Sequence, residues 1–236
     1  MHIFKSLNVA LGFLTIISFG KNPFSELREV GKAAWAFPVV GLLLGSVLAL
    51  IYFLLEPFLP LGVVALIVVG SWIFLTGGLH LDGWTDCWDA FGASVTKERR
   101  REILKDSRLG AFGAMALFLI LGLKIACLAS GLVSYAELML AAVTGRSLLI
   151  AGFKNYGSMN PGMASSFASG VDSSTYMCVW VLTLPVVLMC GLVGIAAFLA
   201  ACVGVIFFRR FAEKKLGFIN GDVLGASCEL SETLVL

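Results

Sequence analysis

Long apolar runs limit this chain more than any single residue does. Residues 37–55, 61–75, 111–129 and 138–153 are apolar over lengths suited to crossing a bilayer, whose hydrocarbon layer asks for about 20 residues of helix. The stretch 176–208 is too long for one crossing and long enough for two short ones. It should turn near Cys190-Gly191-Leu192-Val193-Gly194. Residues 7–19 form a shorter run that crosses at a slant or lies in the interface. The expected fold is all-α: a polytopic transmembrane helix bundle of about six to seven spans, one integral membrane domain over residues 1–236. Composition agrees. Hydrophobic residues make up 59% of the 236 positions and charged residues 14%, where a soluble domain holds about 45–50% and about 25%. Mean hydropathy is +0.96.

Six cysteines (Cys87, Cys127, Cys178, Cys190, Cys202, Cys228) show no paired spacing and mostly lie in apolar runs. They read as small hydrophobes, neither a disulfide framework nor a zinc site. No small-residue cleavage motif follows the first apolar run, so it is expected to be retained as a helix. Gly41 and Gly45 have the spacing of closely packed membrane helices.

Most basic residues cluster in alternate connections. Lys21, Arg28 and Lys32 form one group, Lys97, Arg99, Arg100, Arg101, Lys105 and Arg108 a second, and Arg209, Arg210, Lys214 and Lys215 a third. The connections around 56–60 and 131–137 carry no Lys or Arg. Because positive residues stay on the cytosolic side, the three groups are expected there. The 154–176 loop, with Asn160-Pro161-Gly162, is expected to be flexible and cytosolic.

In this greasy chain, His80-Leu81-Asp82-Gly83-Trp84-Thr85-Asp86-Cys87-Trp88-Asp89 stands out. Asp82, Asp86 and Asp89 are spaced i, i+4 and i+7, within roughly 60° of one helix face. Like charges repel, and folding alone gives no reason to gather them. A hard cation such as Mg²⁺ takes a few carboxylates plus substrate phosphate, so the stripe points to metal-assisted phosphate chemistry rather than a solvated face. Asp82, Asp86 and Asp89 are the expected metal ligands and catalytic residues, Asp89 serving as ligand or base. Arg99, Arg100 and Arg101 are expected to set topology and meet lipid headgroups. Lys105 and Arg108, with Asp106 and Ser107 between them, sit where a substrate phosphate would lie.

Lys124 and Arg146 fall inside apolar runs, where an unpaired charge costs several kcal/mol. Arg146 follows Thr144-Gly145, where a helix could open toward a ligand, and is expected to bind phosphate rather than serve as an ion-pair partner. Asp222 and Glu229, seven apart near the chain's end, form a second acidic stripe; two stripes make a two-metal arrangement conceivable. His80, one turn from Asp82, joins the candidate substrate-binding residues.

The run Gly77-Gly78-Leu79-His80-Leu81-Asp82-Gly83, then Asp86, Asp89, Lys97-Glu98-Arg99-Arg100 and Lys105-Asp106-Ser107-Arg108-Leu109-Gly110, resembles the cobalamin synthase family. So do Phe37-Pro38-Val39-Val40-Gly41, Arg146, Gly221-Asp222-Val223-Leu224-Gly225-Ala226 and Glu229-Leu230-Ser231-Glu232, covering nearly the whole chain in order. The chain departs from the family pattern after Phe13-Leu14-Thr15, where Ile16-Ile17-Ser18 replaces an Arg and Pro, and at 154–162.

The resemblance implies a Mg²⁺-dependent adenosylcobinamide-GDP ribazoletransferase, or cobalamin-5′-phosphate synthase. Such an enzyme joins adenosylcobinamide-GDP to α-ribazole or its 5′-phosphate, releases GMP and completes the nucleotide loop of cobalamin. It would sit in the inner membrane of a prokaryote with its site facing the cytosol. Its partners would be those two substrates and membrane lipid, with room for a homo-oligomer and no role for nucleic acid. Two other readings are weighed. A CDP-alcohol-type phosphotransferase would follow its Asp-Gly with Ala-Arg, whereas Asp82-Gly83 precedes Trp84-Thr85. A transporter would use Lys124 and Arg146 at paired broken spans.

Overall fold

The computed structural model describes residues 3–19, 25–151 and 163–236. Lys21 and residues 154–162 of the loop expected at 154–176 lie outside them, and the rest of that stretch is not all loop, since Met163–Ala168 is helical and a further helix starts at Ser173. The described residues form helices and no strands. In chain order these are α1 (Ile3–Leu14), α2 (Leu27–Ala33), α3 (Phe37–Leu55), α4 (Leu61–Thr76), α5 (Leu79–Gly92), α6 (Lys97–Ile103), α7 (Ala111–Ala129), α8 (Tyr135–Leu148), α9 (Met163–Ala168), α10 (Ser173–Met189), α11 (Gly191–Leu216) and α12 (Gly221–Val235). The apolar runs read from the sequence thus become α3, α4, α7, α8 and the α10–α11 pair, and the last two turn at Cys190 as expected.

Among the described residues, fewer helices than the expected six to seven are each long and apolar enough to span. Three helical stretches, Leu27–Leu55, Ala111–Ala129 and Gly191–Leu216, are long and apolar enough to cross a membrane. A fourth arises if α4 and α5, bent by 93° at their junction, count as one broken span. The reason is length. At 1.5 Å per residue, the 14 residues of α8 rise only about 21 Å against a hydrocarbon thickness of roughly 30 Å. The 17-residue α10 is also shorter than a full span.

The bend after α4 has a sequence cause. Gly77 and Gly78 adopt φ of 61° and 69°, a left-handed backbone that glycine enters without the Cβ penalty. Their amides donate back to the carbonyls of Phe74 and Ile73 at 3.1 Å each, closing the end of α4. The chain therefore leaves α4 sharply and enters α5 at once. α5 is no surface loop: its Gly83 lies against the backbone of Asp222, where an added Cβ would come within 2.7 Å of a carbonyl oxygen. Trp84 Nε1 donates to the Ala116 carbonyl of α7 at 3.0 Å. α5 is thus held between α7 and α12.

Other close approaches follow the same rule. A Cβ on Gly41 or Gly45 would fall 2.7 Å from α8 backbone atoms, so the small-residue pair does seat α3 on α8. Two apolar clusters fill the bundle. One surrounds α5 with Phe37, Trp84, Phe91, Phe208 and Ile219. The other, with Leu48, Val68, Leu128, Leu140 and Phe198, joins α3, α4, α7, α8 and α11. Outward-facing Phe74, Phe118, Leu192 and Phe207 remain exposed, as apolar side chains do on a lipid-facing surface.

Candidate active site

The aspartates of α5 meet the start of α12. Asp86 stands in the electrostatic field of Asp82, Asp222 and Asp89, and Asp222 in that of Asp82. Among the described residues no lysine or arginine pairs with Asp82, Asp86 or Asp222. Asp222 accepts a 2.6 Å hydrogen bond from the Asn220 amide, whose oxygen in turn caps α12 at Val223 N. The site therefore gathers four carboxylates with no compensating protein cation.

Asp89 plays a different part from its neighbours. Its two oxygens accept from the backbone N–H groups of Gly110 and Gly113 at 2.8 and 2.7 Å. A Cβ at either glycine would sit 2.3 Å from an Asp89 oxygen. Asp89 thus anchors the N-terminus of α7, where a carboxylate meets free amides and a favourable dipole. It ties the segment carrying Lys105, Asp106 and Arg108 to the aspartate helix. Arg108 grips Asp106 with Nε at 2.9 Å and Nη2 at 2.6 Å. That guanidinium, with the Arg108 backbone amide, holds the Asp106 carboxyl down to about 2. Lys105 is exposed beside them.

Arg146 and Glu229 are where the structure corrects the sequence. Arg146 is fully buried, and its Nη1 donates to Glu232 Oε1 and to the Ala142 carbonyl. Lys124 Nζ reaches Glu229 and Glu232, both at 2.6 Å, and lies 4.6 Å from the Trp72 ring centroid. Two cations and two carboxylates balance inside the bundle. Arg146 is a buried ion-pair partner instead of a free phosphate ligand, and Glu229 is spent on Lys124 instead of facing substrate. Gly145 does not open the helix to a ligand: its bare Cα lets Cys228 and Glu232 of α12 pack within 3.0 Å of where a Cβ would stand. The same pairing removes the free intramembrane cations that a transporter reading needed.

His80 lies deeper on α5, 97% buried against Gly225, with Nδ1 lacking a partner. His80, Cys228 and Glu232 bring possible ligand atoms within 4.8 Å of one another. The Arg146 guanidinium already occupies Glu232 there, so a cation would meet like charge. No three of the aspartate carboxylates converge so tightly among the described residues.

The arginines of α6 also gain a structural task. Arg100 donates to the carbonyls of Ala90 and Ala93 at the end of α5, and Arg101 to Leu216 at the end of α11. Arg209, nearly fully buried, donates to Ser227 Oγ and to the carbonyls of Leu148 and Ala151 beyond α8. Cations at helix C-termini satisfy carbonyls that the helix leaves open.

Beside Asp82 and Asp222 lies a cavity of about 210 Å³. Its lining brings Phe13, Phe37, Phe167 and Leu149 to the two acids. Sequence reasoning missed these aromatics, because they come from three separated helices and share no spacing. It also missed Lys124, Gly110 and Gly113 as site-building residues. Charge balance offered a signal for the first: two intramembrane cations ask for two acids, and Glu229 and Glu232 stand i, i+3 on one helix.

Comparison with known proteins gives one family. The family described as cobalamin-5-phosphate synthase matches residues 6–236. An adenosylcobinamide-GDP ribazoletransferase of Acetivibrio thermocellus is 33% identical over all of this chain and 97% of its own length. Proteins of the same name from Stutzerimonas stutzeri and Halorubrum lacusprofundi are 35% and 34% identical, over 98% and 99% of this chain and 95% and 96% of theirs. No solved structure matches the chain.

Proposed function

The chain belongs to the cobalamin-5-phosphate synthase family, and from that premise we propose how its residues carry out the transfer named for its relatives. The protein is an adenosylcobinamide-GDP ribazoletransferase of the membrane, acting at the last assembly step of the cobalamin nucleotide loop. Its substrates are adenosylcobinamide-GDP and α-ribazole or the 5′-phosphate of α-ribazole. With either acceptor, a ribose ring hydroxyl oxygen, which stays free when the 5′-oxygen carries phosphate, forms a bond to the cobinamide-side phosphorus, and the bond from that phosphorus to the oxygen bridging the GMP phosphate breaks. GMP leaves with that oxygen, and the hydroxyl proton passes to a carboxylate and then to solvent.

The observation that carries this reading is the uncompensated set Asp82, Asp86 and Asp222. Oxygen-only donors without a partner cation suit Mg²⁺, and their splay suits an ion that keeps several waters and uses one or two carboxylates plus substrate phosphate. Asp82 and Asp86, one turn apart on α5, would hold it. When bound, the ion supplies charge neutralisation for the diphosphate and the departing GMP. Asp222, lining the cavity and oriented by Asn220, accepts the proton of the attacking ribose ring hydroxyl at its carboxylate. Lys105 and Arg108 face the phosphates from the exposed segment that Asp89 anchors, and the basic connections lie on the cytosolic side of an inner membrane.

The test is purified protein in detergent with adenosylcobinamide-GDP, α-ribazole and Mg²⁺. GMP release that stops on chelation and returns with Mg²⁺ supports the assignment. Release that is indifferent to a chelator removes the metal from it.

A further inference from the structure

The cavity beside Asp82 and Asp222 is too apolar to hold a diphosphate, so its lining must select something else. We propose that it binds the two-ring aromatic base of α-ribazole, leaving the ribose to present its reacting ring hydroxyl at Asp222. This rests on the transfer reaction above and adds a place and a specificity to it.

Size sets the first limit. About 210 Å³ falls short of the roughly 300–1,000 Å³ of clefts that enclose a drug-sized ligand. A benzimidazole-type bicycle suits such a slot, whereas a corrin macrocycle stays outside it. The walls set the second. Phe13, Phe37 and Phe167 line the cavity and lie nearly parallel, with ring centroids 5.9, 6.4 and 6.0 Å apart and interplanar angles of 16°, 20° and 30°. Parallel rings with Leu149 beside them offer flat apolar surface to a flat guest.

Hydrogen-bonding capacity sets the third. His80 is the only polar side chain in the described lining besides the two acids. A guanine would bury exocyclic amino and carbonyl groups without enough partners, at a cost of a few kcal/mol for each. The base of α-ribazole brings methyl groups and a single free ring nitrogen. Position completes the argument, since the acids at this cavity are those proposed to meet the reacting hydroxyl and the diphosphate.

Isothermal titration of α-ribazole into detergent-purified protein reads the site directly. Two variants probe it: Phe13→Leu removes the partly exposed aromatic face of the lining, and Gly221→Leu adds a side chain to the lining where a Cβ has no neighbour within 4 Å. Gly221→Leu deletes no core atom, so it carries the test if Phe13→Leu fails to fold. Each is expected to weaken α-ribazole binding about tenfold, the order of one lost aromatic contact, with KM for adenosylcobinamide-GDP unchanged. Unaltered α-ribazole affinity in the folded variants overturns the proposal. So does a rise in KM for adenosylcobinamide-GDP without loss of α-ribazole binding. Wild-type protein that binds α-ribazole in this variant-sensitive way yet releases no GMP supports the cavity assignment and overturns the reaction.

Discussion

Single side chains divide into those that meet substrate and those that hold the bundle. Asp82 and Asp86 have no protein cation, so replacing either by Asn should remove an ion ligand without disturbing packing. The expected result is a fall in kcat on the order of 10²–10³, typical of losing one transition-state charge stabiliser, with an unchanged melting temperature. Turnover near wild type at saturating Mg²⁺ would exclude the residue. Glu232 is the opposite case. It accepts from Arg146 and Lys124 together, so Glu232→Gln leaves Arg146 without a carboxylate while Lys124 keeps Glu229. Breaking a buried pair costs about 3–5 kcal/mol, and denaturant or thermal unfolding of the variant should show a loss of that order. Arg146→Ala should likewise lower stability while the surviving protein keeps its KM values. A raised KM with full stability would return Arg146 to the phosphate. Asp106 shows the sign of a surface pair: Arg108 holds its carboxyl down to about 2, below the ordinary value near 3.8. Whatever that pair contributes is present above pH about 4 and is lost as pH falls toward 2. Activity at pH 6 to 8 should therefore not titrate with Asp106.

Elements are placed by contacts that only small residues permit. Gly110 and Gly113 bring α7's first amides onto Asp89, and the phosphate-facing segment hangs on that contact. Gly113→Val should push the Asp89 carboxylate aside and loosen Lys105 and Arg108. A several-fold rise in KM for adenosylcobinamide-GDP is expected, with little change in that for α-ribazole. Equal effects on both would mean that the helix has shifted as a whole. Gly77 and Gly78 act at the start of α5, the opposite end from Asp89. Their left-handed backbone turns the chain by 93° and aims α5 between α7 and α12.

The whole molecule is an apolar bundle with one charged core and one acidic mouth. Basic residues cap helix ends around that mouth: Arg100 at α5, Arg101 at α11 and Arg209 beyond α8. If they also obey the positive-inside rule, cysteines at Thr96 and Lys214 should label from the cytosolic face. Cysteines at Pro60 and Ser134 should label from outside. Labelling of Thr96→Cys from outside would reverse the orientation and cut the site off from cytosolic nucleotide.

The sequence by itself determined the helical membrane class, the apolar runs that become helices, the turn at Cys190 and the acidic stripe on α5. These are properties of local composition and spacing, which a chain carries into any fold. It also carried the family resemblance, through ordered blocks such as Gly77–Gly83. What it could not determine was which charges answer one another. Arg146 and Glu232 are 86 positions apart and Lys124 and Glu229 are 105 apart, so their pairing exists only once α7, α8 and α12 pack. Tertiary packing also turned Asp89 from a free ligand into an anchor and drew Phe13, Phe37 and Phe167 around one cavity. Each outcome depends on long-range contact in a low-dielectric interior, where a buried charge must find a partner and the nearest available one is set by tertiary structure.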